Sequence, residues 1–257
     1  EGVVRVEIRE GRLAGTDSER RGSARVREDR LRRMGETSTA EGLDKADLEA
    51  ALLRMNDHPG VTARGRPTAG ETAQTSRLVV TVEQAPLLSV ALWGDNAGSA
   101  STGRAQANAQ ATITDLSGYG DLTRLAGTAS QGQRFGQAAF SLPLGARPFV
   151  LSANYGYLDY RNIDATGTAL ALEGHAHHAG LGLGYGVLRS RDANVRLSAG
   201  LEWKALVDDS LVGRLQDKRV ASGTLGIDGD LRDDLFGGGA TLWSLGWTFG
   251  DLDLSRV

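Results

Sequence analysis

The feature that most constrains this chain is an alternation of apolar with polar or very small residues, period two, recurring from Leu87 almost to the C-terminus. Val195, Leu197, Ala199, Leu201, Trp203, Ala205 and Val207 alternate with Arg196, Ser198, Gly200, Glu202 and Lys204. Ala105 to Ile113 do the same against Gln106, Asn108, Gln110 and Thr112, and Trp243 to Phe249 against Ser244, Gly246 and Thr248. Successive side chains of a strand point to opposite faces, so each stretch reads as a strand with one apolar face and one polar or tiny face. About nine strands are expected, near 87–93, 103–114, 121–130, 134–142, 149–159, 174–187, 194–207, 218–231 and 239–250.

A soluble β-sandwich would show the same alternation. Three features favour a membrane barrel. The strands are long, about 9–13 residues, enough to span a bilayer when tilted. The second parity carries Gly, Gln, Arg, Glu and Lys where a sandwich would place another apolar layer, which suits a watery lumen. Tyr155, Tyr157, Tyr185 and Trp243 fall towards strand ends, where an interfacial girdle sits. Gln106, Asn108, Gln110, Arg196, Glu202 and Lys204 are the candidate pore-lining residues. No run of about 18 apolar residues is present, which excludes a membrane-spanning helix.

The first 86 residues are different. They hold 15 of the 29 Lys/Arg and 15 of the 32 Asp/Glu, whereas 26 of the 35 glycines follow them. Val4, Val6 and Ile8 suggest a half-buried strand. Arg12 to Gly22 is polar and carries no clear pattern. Val26 to Met34 suits a short helix with Glu28 and Asp29 near its start. A second helix runs from an Asp44 cap, with Leu48, Ala51, Leu52 and Met55 on one stripe, and ends before Pro59-Gly60. Strands follow at about 61–66 and 78–83, joined by the polar Pro67–Thr75 turn. The order β-α-α-β-β is that of a small α+β domain, and residues 1–86 and 87–257 are expected to be separate domains.

The stretch from Leu43 to Gln84 resembles a POTRA domain, particularly Asn56-Asp57-His58-Pro59-Gly60-Val61, the Gly70 turn and Leu78-Val79-Val80-Thr81-Val82. Trp93-Gly94-Asp95-Asn96-Ala97-Gly98-Ser99, Gly118-Tyr119-Gly120-Asp121 and Phe140-Ser141-Leu142-Pro143-Leu144-Gly145 resemble the first hairpins of two-partner-secretion transporters. These are the Omp85-superfamily relatives of the haemolysin activator and haemagglutinin secretion proteins. The resemblance covers about residues 1–250. It implies the last POTRA domain followed by the first nine of sixteen barrel strands. The family's first POTRA, its plug helix and its Val-Arg-Gly-Tyr loop have no matching positions. Together with a start at Glu1, that suggests a fragment.

The implied function is an outer-membrane translocator with its N-terminal domain in the periplasm. It would take an unfolded secreted exoprotein through the client's N-terminal secretion domain and pass it through the pore. Outer-membrane lipid is the second partner. Capture would use β-augmentation at Val61, Thr62, Ala63 and Arg64, beside the helix groove of Leu48 and Leu52. The alternatives are an Omp85-type assembly factor for outer-membrane proteins, or a passive porin or adhesin barrel.

Other chemistry finds little footing. A net charge of −3 gives nucleic acid no electrostatic footprint, and no cofactor or small-molecule substrate is indicated. Cysteine is absent, which removes thiol catalysis and Cys-based zinc sites. His175, His177 and His178 read as polar rim or loop residues rather than metal ligands. Asp208-Asp209 and Asp233-Asp234 read as loop tips. Gly180-x-Gly-x-Gly lacks the spacing and the following helix of a dinucleotide fingerprint, and no nucleophile elbow is present. An enzyme is not expected.

Overall fold

The computed structural model describes residues 12–21, 25–36, 45–72, 75–145, 148–234 and 237–254. The strand expected at Val4–Ile8 and the Asp44 cap lie outside them. The described elements run β1 (Arg12–Arg21), α1 (Glu28–Glu36), α2 (Lys45–Asn56), β2 (Val61–Ala69), β3 (Thr75–Gln84), β4 (Leu88–Asp95), β5 (Gln106–Thr114), β6 (Leu122–Ala129), β7 (Gln133–Leu144), β8 (Phe149–Arg161), α3 (Ala165–Ala169), β9 (Glu173–Arg189), β10 (Ala193–Ser210), β11 (Gly213–Asp233) and β12 (Gly239–Asp253). They form two sheets, one ordered β1-β3-β2 and one of nine strands ordered β12 through β4.

In the small sheet β3 is central, parallel to β1 and antiparallel to β2. Its inward parity, Leu78, Val80 and Val82, meets Val61 and Ala63 of β2, Val26, Leu31 of α1 and Met55 of α2, with Leu52 packed alongside. Full burial of a valine such as Val82 is worth about 1.5–3 kcal/mol, so this patch is where the small domain's stability concentrates. The side chain of Leu48 lies outside the described residues.

Helix α1 starts two residues later than its sequence suggests. The backbone N–H groups of Arg25 and Val26 both donate to the Gln84 Oε1, and Val26 is drawn into the core, so the helix begins beyond them. Strand β1 falls in the polar stretch that carried no pattern. Its Asp17 carboxylate takes two bonds, 2.7 and 2.6 Å, from Arg77 of β3. A charged outer strand of this kind needs no apolar face to be recruited, only a ladder to join.

In the large sheet every neighbour is antiparallel and sequential. All nine expected strands are present, and β9 to β12 are longer than expected, at 17, 18, 21 and 15 residues. Two earlier expectations are settled by these strands. His175, His177 and His178 sit within β9, inside the strand expected near 174–187, so of the rim or loop reading only a rim position is left. Asp208 and Asp209 lie in β10, and Asp233 closes β11, because the ladders continue past the point where hydrophobic alternation fades.

Candidate functional site: a two-faced sheet and its junction with the small domain

The ladder registers decide which side chains share a face, since residues directly opposite one another do. Gln110 stands opposite Ala126, Ala126 opposite Gln137, Gln137 opposite Gly156, Gly156 opposite His178, and His178 opposite Lys204. With the period-two rule, this puts Gln106, Asn108, Gln110, Arg196, Glu202 and Lys204 on one face of the nine-stranded sheet. The sheet therefore brings together six candidates separated by up to a hundred residues of chain.

That face is knit by polar contacts. Asn108 Nδ2 donates to Asp95 Oδ2 at 2.8 Å, and Thr128 donates to Asn108 Oδ1 at 2.8 Å. Arg196 pairs with Asp228 at 3.1 Å and Lys204 with Glu202 at 2.9 Å. Tyr160 donates to Asp208 at 2.5 Å. Glycines at 174, 180 and 182 keep the surface low beside Tyr160, Asn154 and Ser152.

The opposite face carries the apolar parity, and it is exposed. Leu92 is 76% exposed, Leu201 64% and Leu245 72%. These side chains are not packed against a second sheet, so the sandwich reading fails on this point. Aromatics mark both margins of the face: Phe149 stacks with Tyr185 at 4.5 Å, and six residues further along β8 Tyr155 donates to or accepts from His177 Nδ1 at 2.8 Å. Tyr157 lies 4.8 Å from the same imidazole. Six strand residues span about 20 Å, close to the apolar band of a bacterial barrel, about 25 Å. His177 thus belongs to an aromatic margin, and among the described residues no group of three or more His, Cys, Asp or Glu could hold a metal.

The second feature is the junction with the small domain, which sequence reasoning missed. Asp115 follows β5 directly, has φ of +54° and is wholly buried. Its Oδ1 takes the Gly120 N–H at 2.7 Å, and its Oδ2 takes Gln84 Nε2 at 2.6 Å. His58 Nε2 stands 3.4 Å from the same Oδ2, without hydrogen-bond alignment. Burial alone would raise the Asp115 carboxyl, but His58 and the N–H donors around it outweigh that and hold it below the usual carboxylate range. Arg25 adds bonds to the carbonyls of Asp115, Ala85 and Thr114 at 3.2, 3.0 and 3.2 Å. Further out, Asp57 meets Arg189 and Glu49 meets Arg191. Two motifs noted separately, Asn56–Val61 and Gly118–Asp121, are thus the two halves of one interface. The available signal was the pairing of a turn-forming His-Pro-Gly with a Gly-Tyr-Gly-Asp turn; nothing in either stretch says that they touch.

The third feature is the outer edge of β2. Val61, Thr62, Ala63 and Arg64 form an edge with no strand beyond it among the described residues. That edge is not bare. Asn56 accepts the Ala63 N–H at 2.9 Å and donates to the Ala63 carbonyl at 2.9 Å, and Pro67 has no N–H to offer. Val61 N–H already bonds the His58 carbonyl at 3.0 Å. Leu52 packs beneath, against the core.

Residues 74–242, more than half of the chain, match the family described as haemolysin secretion/activation protein ShlB/FhaC/HecB. The chain belongs to this family. It is a family of secretion proteins, not an enzyme class, and its members place this chain in the bacterial outer membrane. Among curated relatives, the heme/hemopexin transporter protein HuxB of Haemophilus influenzae is 30% identical over 220 residues, covering 84% of this chain and 38% of HuxB. Among solved structures, CdiB from Escherichia coli aligns with a TM-score of 0.75 and 22% identity, over 94% of this chain and 45% of that one. CdiB from Acinetobacter baumannii gives 0.71 and 15%, over 95% and 46%. BamA from Haemophilus ducreyi lacking POTRA domains 1–3 gives 0.52 and 14%, over 93% and 56%. These likenesses establish the fold as that of Omp85-type barrels. The chain spans under half the length of the HuxB and CdiB relatives. As a ShlB/FhaC/HecB member, it carries its matched segment across β3, the Asp115–Asp121 side of the junction and eight of the nine barrel-type strands in full.

Proposed function

We propose that this chain is the client-receiving part of a two-partner-secretion translocator. The small α+β domain is a POTRA domain on the periplasmic side. It captures an unfolded exoprotein through the client's N-terminal secretion domain and hands it to a lumen lined by Gln106, Asn108, Gln110, Arg196, Glu202 and Lys204. The observation that carries this reading is the shared register of those six residues on the face opposite the exposed apolar wall. A wall rich in paired charges, amides and small residues offers an extended chain exchangeable hydrogen bonds, with apolar side chains such as Trp93 and Leu242 scattered singly among them, so the chain slides.

Capture uses β-augmentation at the edge of β2. An incoming strand would take the Ala63 backbone groups that Asn56 now holds, making Asn56 a latch that the client displaces. Family membership favours secretion over assembly of outer-membrane proteins, since the likeness to BamA extends to fold alone.

The test uses the absence of cysteine from these 257 residues, with any cysteine elsewhere in the complete protein replaced by serine. A single cysteine at Gln110 or Lys204, and as a control at Leu181, is introduced into the complete protein in cells producing a client stalled in transit. Disulfide or maleimide cross-links to the client at the first two positions and not at the third are expected. Equal cross-linking at all three, or none at Gln110 and Lys204, overturns the proposal.

A further inference from the structure

A cavity of about 590 Å³ opens where α1 of the small domain meets the end of β7. Its floor is Phe140, Leu142 and Leu144. The register places these opposite Ala153, Leu151 and Phe149, on the apolar outer face of the sheet and at the margin nearest the small domain. Its rim is charged and comes from α1, with Arg30 and Arg33 beside Asp29.

Arg30 is the unusual member. It is only 7% exposed, donates once to the Pro143 carbonyl at 3.0 Å and lies 5.8 Å from the Tyr119 ring centre. Its Nε has no hydrogen-bond partner, and among the described residues it forms no ion pair. A guanidinium stays charged at any ordinary pH, so a cation has been carried to the foot of an apolar wall without an anion in contact. The acidic neighbours do not fill that role: Asp29 bonds Arg27 and Arg33, each at 3.2 Å, while Asp121 takes the N–H groups of Leu116 and Ser117.

A ligand that satisfies both parts must be amphipathic, with an anionic group for the rim and a hydrocarbon for the floor. The floor runs directly into the membrane-facing wall, so the hydrocarbon can continue into the bilayer. The cavity volume suits a headgroup and the first part of a chain rather than a whole lipid. We propose that it holds one phospholipid of the leaflet on the small-domain side, with its phosphate at Arg30 and Arg33 and an acyl chain along Phe140, Leu142 and Leu144. Such a lipid would tie α1 to the barrel wall at a third point beside the His58–Asp115 and Asp57–Arg189 contacts. The inference rests on the outer face being lipid-facing.

The test places the complete protein in phosphatidylethanolamine vesicles containing an analogue with a photoactivatable group on its acyl chain. Labelled peptides are then mapped. Labelling concentrated at Phe140–Leu144 is expected, falling about tenfold in Arg33→Glu, the loss of roughly one charge-assisted contact. Arg30→Gln should behave alike. Arg33 is well exposed, so its variant reports even if Arg30→Gln does not fold; heat-modifiable gel migration checks each. Millimolar inorganic phosphate should not compete. Labelling at Leu201 and Leu245 with none at Phe140–Leu144 overturns the cavity assignment alone. No labelling at any of these positions overturns the lipid-facing wall as well. Unchanged labelling in a folded Arg33→Glu variant, or competition by phosphate alone, also overturns the lipid site.

Discussion

Asp57 and Arg189 are 132 residues apart and meet in a two-pronged ion pair, with Nε to Oδ2 and Nη2 to Oδ1 both at 2.7 Å. One residue sits in the turn after α2, the other at the end of β9. The pair ties the small domain to the third of the strand turns on that side, while His58 and Asp115 tie it to the first.

The Asp57–Arg189 pair is half exposed, so its worth is modest, about 1 kcal/mol or less. Arg189→Ala should leave the barrel intact but raise the rate of limited proteolysis between Gln84 and Leu88. High salt should do the same to the wild type and add little to the variant.

Asp115 should matter more. Asp115→Asn preserves the left-handed backbone, which Asn tolerates, and removes the charge facing His58. An Asn has one side-chain acceptor oxygen for the Gly120 and Gln84 donors that the two carboxylate oxygens now take, and a buried polar group left without its partner costs about 1–3 kcal/mol. The Asp115 carboxyl lies below its ordinary value, so its contribution is complete above the unfolded pKa of about 3.9 and is lost as pH falls through the lower folded value. Junction stability in urea titrations should therefore hold down to about pH 4 in the wild type and fall below it. The variant should be weaker at neutral pH and should lack that acid-dependent loss.

Gly120 has φ of +84°, and a Cβ there would stand 2.7 Å from the His58 ring. Gly120→Ala thus combines backbone strain with a clash in a buried contact. A loss of about 2 kcal/mol is expected, read as a lower urea midpoint for release of the small domain. Gly136→Ala, where nothing lies within 4 Å, should be near neutral.

Asn56→Ala removes the latch at Ala63. Each displaced hydrogen bond is worth about 0.5–1.5 kcal/mol, so a peptide from the client's secretion domain should bind several-fold more tightly, measured by fluorescence anisotropy with the complete protein. Unchanged or weaker binding would place capture elsewhere than at β2.

The two faces of the sheet predict opposite tolerances. Leu201→Arg puts a charge on the apolar wall and should cost about 2–4 kcal/mol if it lies near mid-bilayer. Glu202→Arg, the next residue on the other face, should leave folding unchanged, as judged by heat-modifiable migration.

Much of this was legible because strand geometry is local. The alternation from Val195 to Val207 fixes which side chains share a face before any partner strand is known, and the Leu-Ala-Leu-Met stripe marks α2 in the same way. Strand β1 was not legible: Arg-Leu-Ala-Gly-Thr-Asp-Ser-Glu-Arg-Arg has no period, and it becomes a strand because β3 offers it a ladder and Arg77 a counter-charge. The far ends of β9 to β11 were missed for the same reason, since hydrogen bonding to a neighbour continues where hydrophobic contrast stops.

The sequence alone determined the family, the number of strands in the large sheet and the segregation of its apolar and polar residues, because each is written in spacing or in recognisable turns. The tertiary structure decided what meets what. It joined His58 to Asp115, covered the β2 edge with Asn56 and set Arg30 at the foot of the apolar wall. Those contacts depend on register and docking angle, which are fixed by summed packing over both domains and leave no mark on any single stretch of chain.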